Sequence, residues 1–223
     1  MVIYYLLFAP KLVKYTIYVY KGVIESRFKL HGKQCMVCTA CHGSNCSLGV
    51  TVESEALSDG SLQILMAFPY GSPDITASDF GCPDWHSSKI LMQDSKRLLI
   101  CRVLDWDGYY VYLNSKKEVL ISQDKPHNFI LSASENHITF TVAFSKEAPQ
   151  NIDKFDQLLE NSRNTWKNFW EKGGMIELHK SKDPRALELE RRIVLSQYLS
   201  AIQSCGSMPP QETGLILIFN KND

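Results

Sequence analysis

Apolar and polar positions alternate in a series of short runs from Tyr15 to Phe144. Tyr15 to Tyr20 is the first and stops at Lys21-Gly22; Val23 to Leu30, Gln34 to Ala40 and Val50 to Ser54 follow. Leu62 to Phe68 comes after the turn-forming Ser58-Asp59-Gly60-Ser61, and Arg97 to Leu104, Tyr109 to Leu113, Asn128 to Ser132 and His137 to Phe144 complete the series. The runs are rich in β-branched and aromatic residues and are separated by turn formers, which predicts strands. No helical spacing intervenes, so an antiparallel sandwich is expected rather than βαβ units. In the last run Ile138, Phe140, Val142 and Phe144 share one parity against Thr139, Thr141 and Ala143, the mark of a strand with one buried face.

The period changes at Pro149. From Asn151 the apolar residues Phe155, Leu158, Leu159, Trp166, Phe169 and Trp170 recur at three- and four-residue spacing, predicting an amphipathic helix of roughly 20 residues with Asn151 as N-cap. Gly173-Gly174 ends it. Asp183-Pro184 is a second helix start, a capping carboxylate followed by a proline whose missing N–H is not needed at the first position. This helix is expected to run to about Ser204, with Gly206 terminating it. Leu187, Val194, Tyr198 and Ile202 lie on one face, while Ala186, Leu189, Ile193 and Ala201 spill toward another, so the helix expects to be enclosed by neighbours. The run Leu215 to Phe219 has nothing after it to pair with, which reads as an interruption. No internal repeat is present.

Composition narrows little. The 223 residues suffice for one large domain or a domain plus a fragment. Lys plus Arg and Asp plus Glu both number 24, so no net field points to nucleic acid or an anionic membrane. Met1 to Ala9 is apolar, but Lys11 and Lys14 follow rather than precede it, unlike a secretory signal, and Pro10 cuts it short of a bilayer span. No membrane segment is expected. Seven cysteines cannot all pair within one chain, which makes a reducing, intracellular setting the simpler reading.

Several groupings bear on chemistry. Cys35-x-x-Cys38-x-x-Cys41-His42-x-x-x-Cys46 carries enough ligands for zinc or an iron–sulfur cluster. Gln34 to Ala40 reads as a strand, however, which sends Cys35 and Cys38 to opposite faces, so buried structural thiols are the favoured reading and no metal or other cofactor is expected. Asp105 and Asp107 flank Trp106 as a carboxylate pair would, but Asp107-Gly108 has turn chemistry and a solvated hairpin is the stronger explanation. His86, beside Trp85, reads as a surface loop histidine. Glu188, Glu190, Arg191 and Arg192 form a solvated cluster of ion pairs. No phosphate loop, G-x-S-x-G elbow or H-E-x-x-H helix occurs.

Thr165 to Gly174, then Asp183 to Leu199, then Pro209-Pro210-Gln211-Glu212-Thr213-Gly214-Leu215 together resemble a stretch of six-hairpin glycosidase-like proteins, relatives of glycoside hydrolase families 65 and 95. Phe68-Pro69-Tyr70-Gly71-Ser72, followed by Ser78-Asp79-Phe80, Pro83 and His86, is similar to a run in the N-terminal sandwich of the same proteins. The likeness extends from about Tyr15 to Leu215 and is more specific in the helices than in the sandwich. It implies an α+β architecture: an antiparallel β-supersandwich over residues 1–149, a helical linker over 150–182, and over 183–223 the truncated start of an (α/α)6 toroid that cleaves glycosidic bonds with water or phosphate. The chain departs from the family pattern in two places. Cys35 to Cys46 replaces a more usual single Cys-His, and Ile216 to Asp223 stands where an aromatic- and His-rich segment with an acidic residue would continue.

The resemblance places Gln211 and Glu212 nearest a sugar, in a loop at the rim of the barrel; the alternative is a proline-stiffened turn with Glu212 solvated or capping the next helix. Glu212 could not cleave a glycoside alone, since the reaction takes an acid together with a base or nucleophile. No catalytic residue is assigned. The expected function is that of a fragment of a carbohydrate-active protein without catalysis of its own. The alternative is a binding module whose exposed aromatics, such as Trp85, Trp106 or Tyr109, hold a carbohydrate or a protein. Carbohydrate is the expected partner, and an uncovered apolar face on the second helix predicts self-association.

Overall fold

Alternating apolar residues need a second apolar surface to cover them, and here two antiparallel sheets supply it to each other. The computed structural model describes residues 2–5, for which only the strand pairing is described, 14–71 and 78–206. In chain order the elements are β1 (Val2–Tyr5), β2 (Lys14–Tyr18), β3 (Val23–Leu30), β4 (Lys33–Cys41), β5 (Ser47–Glu53), α1 (Glu55–Ser58), β6 (Ile64–Ala67), β7 (Tyr70–Gly71), β8 (Ser78–Asp79), a 3₁₀ turn (Pro83–Trp85), β9 (His86–Gln93), β10 (Arg97–Leu104), β11 (Asp107–Ser115), β12 (Leu120–Lys125), β13 (Asn128–Ser132), β14 (His137–Ser145), α2 (Phe155–Lys172) and α3 (Ala186–Gln203). The larger sheet has eight strands in the order β2-β3-β4-β5-β14-β11-β10-β9, the smaller four in the order β1-β6-β13-β12, and β7 pairs with β8. The expected α+β arrangement of sandwich followed by helices is the one observed.

One face of each sheet fills the space between them. Val37, Val52, Ile100, Leu113, Phe140 and Val142 come from the larger sheet and Ile64, Met66, Phe129 and Leu131 from the smaller, all essentially without solvent contact. Each such side chain contributes about 1.5–3 kcal/mol relative to leaving it in water.

The strand β14 is buried on both faces, not one: Thr139, Thr141 and Ala143 are shielded as well as Ile138, Phe140 and Val142. It sits between β5 and β11 in the middle of the larger sheet, and the threonine side answers to a polar pairing, with Thr51 Oγ1 and Thr139 Oγ1 2.8 Å apart across the strands.

Over the outer face of β4, β5 and β14 lies α2. Leu158 is fully buried there against Val23 and Ala40, and Gly49 gives the helix room, since a Cβ at this position would come within 2.9 Å of the Phe155 ring. The helix begins at Phe155 rather than after Asn151. Lys154 is the residue before its first turn, and the Gln157 side chain reaches back to the Lys154 N–H at 3.0 Å. Asp153 is held instead by His42 Nε2, 3.2 Å away. At the other end of α2, Gly173 closes the helix, as expected. Asp183 accepts a hydrogen bond from Arg185 N at 2.8 Å, so it caps a first turn from which α3 continues at Ala186.

Only Ala186, Val194 and Tyr198 of α3 are buried. Tyr198 packs on Trp166 with ring centroids 4.9 Å apart. Leu187 and Ile202, which the spacing grouped with Val194 and Tyr198, are exposed, as are Leu189, Leu195 and Leu199.

Candidate functional site

The alternation of β10 sends Leu98, Ile100 and Arg102 to the interior together, and Arg102 is the largest side chain with no solvent contact. A buried guanidinium is costly unless its donors are taken up. Arg102 Nη1 lies 2.7 Å from Ser88 Oγ, 2.8 Å from His86 Nδ1, 3.1 Å from the Ser87 carbonyl and 3.2 Å from His127 Nδ1. Nη2 donates to the Pro69 carbonyl at 3.2 Å, and the group lies over the Phe68 ring, 5.2 Å from its centroid. Nε has no hydrogen-bond partner among the described residues. One side chain thereby joins β10, β9, the segment after β6 and the residue before β13.

The two imidazoles are stacked, with centroids 3.8 Å apart. His127 Nε2 is 2.8 Å from the Pro83 carbonyl, which places its proton there and leaves Nδ1 to accept from Ser88 Oγ at 2.7 Å. His86 presents Nδ1 to Arg102 as an acceptor. Burial first, then the Arg102 charge and the neighbouring His127, bring the His86 pKa down to about 4. His86 is therefore neutral near pH 7, the state that its hydrogen bond requires.

On this buried base stands an exposed rim. Tyr70 packs on His86 with centroids 5.9 Å apart and meets Trp85 edge-on at 5.5 Å and 88°. Its hydroxyl donates to both carboxylate oxygens of Asp105, at 2.9 and 3.0 Å, and that bond raises the phenol pKa. Asp105 and Trp106 form the two-residue turn between β10 and β11, with Asp105 at φ 51°, a left-handed conformation that Asp and Asn tolerate better than most residues. Trp85 is 64% exposed and Trp106 entirely so. Beside the rim, Asp84, Ser87, Ser88, Gln123, Lys125 and His127 line a cleft of about 580 Å³ between the β9 and β12 edges.

Several sequence expectations change here. His86 is not a surface loop residue: it opens β9 and is buried under Tyr70. The expected solvated hairpin is present, with its turn at Asp105-Trp106 rather than at Asp107-Gly108. Gly108 lies in β11, where a Cβ would come 3.2 Å from the Arg102 carbonyl. The two aspartates have separate partners, Tyr70 for Asp105 and Lys146 for Asp107, whose carboxyl Lys146 holds below the usual range. Tyr109 is not an exposed aromatic: it packs inward, 6.4 Å from Phe144.

Cys35 faces the sandwich interior and Cys38 the α2 side, as strand alternation requires. All seven cysteines are free, and no group of three or more His, Cys, Asp or Glu that could hold a metal comes together among the described residues. In α3, Glu188 bonds Arg191 and Arg192, which lower its pKa to about 2. Gln211 and Glu212 lie outside the described residues. Sequence reasoning missed Arg102, Tyr70, Ser88 and His127. Arg102 had left a signal, a charged residue at core parity after Leu98 and Ile100.

No protein-family model matches the chain, and no curated protein matches it. Solved structures do. A protein assigned as a kojibiose phosphorylase, from the human microbiome, superposes with a TM-score of 0.54 at 11% identity, over 86% of this chain and 29% of that one. A family GH92 α-mannosidase from Bacteroides thetaiotaomicron gives a TM-score of 0.36 at 12% identity, over 81% of this chain and 25% of that one. The chain thus shares its fold, a sandwich followed by helices, with part of the first of these proteins, and it spans under a third of the length of either.

Proposed function

We propose that this chain is the non-catalytic sandwich-and-helix part of a glycoside-processing protein, of the hydrolase or phosphorylase type. The observation that carries the reading is the order of parts, two facing sheets and then two helices, shared over 86% of the chain with the protein assigned as a kojibiose phosphorylase. The chemistry of the rim agrees. Glycoside cleavage takes two carboxyl groups facing one bond, and Asp105 and Asp107 are each turned to a different partner. On the same reading Gln211 and Glu212, after α3, are the residues that the helical part contributes to a sugar.

Purified chain incubated with aryl glycosides and with disaccharides, with and without inorganic phosphate, is expected to show no turnover above buffer. Enzyme-like turnover that survives Glu212→Gln would overturn the reading.

A further inference from the structure

We propose that the rim formed by Trp85, Tyr70, Asp105 and Trp106 is a binding site for a neutral pyranoside, located on the sandwich itself. The inference rests on the glycoside reading only for its biological setting; the ligand class follows from the side chains. A pyranose has one face of C–H groups and an equator of hydroxyls, so it is bound by an exposed aromatic plane with a hydrogen-bonding group at its edge. Both are present. Trp85 at 64% exposure keeps an indole face open, and Asp105, next to the fully exposed Trp106, is tied to Tyr70 beside Trp85. The single Tyr70 proton is shared between the two Asp105 oxygens, which keep lone pairs for a sugar hydroxyl.

The rings are also fixed in advance. Tyr70 rests on His86, His86 is stacked on His127, and both imidazoles are held by the buried Arg102. A platform ordered before binding does not have to give up side-chain freedom when the ligand arrives. Exposed indoles bring two to one end of a sandwich only at some cost in solubility, and nothing in the core needs them there.

Charge argues for a neutral ligand. Asp79, Asp84 and Asp105 are the carboxylates described beside Tyr70 and Trp85, with the Cys82 thiol and the neutral His86 as the other ionisable neighbours. Arg102 is buried beneath them, and the nearby Lys146 is taken up by Asp107. An anionic sugar or a phosphate would meet these carboxylates at the rim, whereas the cation Lys125 lines the cleft beside it.

The test is titration of the whole chain with maltose, cellobiose and methyl α-mannopyranoside, read by tryptophan fluorescence and calorimetry. At least one is expected to bind saturably. Trp85→Ala is expected to weaken that binding by at least about tenfold, a change of about 1.4 kcal/mol. Trp85→Phe keeps most of it, and Asp105→Asn, which suits the left-handed backbone, weakens it less than Trp85→Ala. An unchanged urea midpoint shows that the variants fold. Failure of all three sugars to bind, or binding insensitive to Trp85 and Asp105, overturns the proposal. Binding that is lost instead in Gln211→Ala and Glu212→Gln also overturns it while leaving the glycoside reading standing, and turnover by the chain would do the reverse.

Discussion

Arg102 and Trp170 have parallel positions: each is a large buried side chain that ties a peripheral segment to the sandwich. Around Arg102 the attachment is polar, with Ser88, His86, the Ser87 carbonyl, His127 and the Pro69 carbonyl within hydrogen-bond distance. Around Trp170 it is apolar, with Val194, Tyr198, Val19, Trp166 and Met175 packed together and a single bond from Trp170 Nε1 to the Val19 carbonyl at 3.0 Å. A hydrogen-bonded guanidinium admits one geometry and is costly to disturb, because every partner it loses becomes a buried unsatisfied group. Aromatic packing tolerates small shifts. The rim is thus held rigidly, while α3 rests on three buried residues and leaves Leu195, Leu199 and Ile202 in solvent.

The sharpest way to break this contrast is at Arg102. Arg102→Ala removes the donor and leaves a cavity, and is expected to cost about 3–5 kcal/mol in urea unfolding. Arg102→Met fills most of the volume without a charge and should recover part of that loss. If Arg102→Met were as stable as the parent, the acceptors around Arg102 would not depend on it.

Trp170→Ala is expected to cost about 3 kcal/mol of local rather than global stability. Proteolysis in the segment between α2 and α3 should accelerate, while the near-ultraviolet signal of the sandwich aromatics stays largely in place. Simultaneous loss of both would show that α3 and the sandwich unfold as one unit.

The polar attachment should also be pH-sensitive where the apolar one is not. His86 titrates near 4 in the folded chain and near 6.5 when unfolded. Between these values the unfolded state binds more protons, so the stability present above about pH 6.5 is lost as pH falls through 4, amounting to about 2–3 kcal/mol. Stability measured against pH in the parent and in His86→Gln should differ by that slope. Identical curves would mean that burial and the neighbouring Arg102 do not hold His86 neutral.

The smallest effect on stability is expected on the open face of α3. Leu195→Glu with Leu199→Glu should change folding stability by less than about 0.5 kcal/mol per site, yet shift sedimentation toward monomer if that stripe drives self-association. A parent chain that is already monomeric would remove the association while leaving the weak attachment of α3 intact.

The strands legible from alternation were the interior ones and a single edge strand, β2, which the run Tyr15 to Tyr20 predicts. The run Val23–Leu30 matches β3, Arg97–Leu104 matches β10 and Asn128–Ser132 matches β13. The long strands that alternation did not reveal, β1, β9 and β12, each lie at the edge of a sheet. With a neighbour on one side only, β9 can leave Ile90 and Leu91 in solvent and β12 can do the same with Leu120, so no alternating pattern is required of them. The helices were legible by period and by glycine and aspartate punctuation. Their starting residues were less so, because Gln157 and not Asn151 closes the first turn of α2.

Local pattern alone therefore determined the order of parts, a β region to Ser145 and then two helices, because alternation and helical spacing are written in neighbouring residues. It also determined that Cys35 and Cys38 face opposite ways. Tertiary structure decided which residues meet. Tyr70, Trp85, His86, Arg102, Asp105 and His127 come from segments up to 57 residues apart (127 − 70) and are joined only once β9, β10 and β11 are in register. No short window of sequence contains that register. It is set by the sum of cross-strand pairings and by the burial of one face of each sheet.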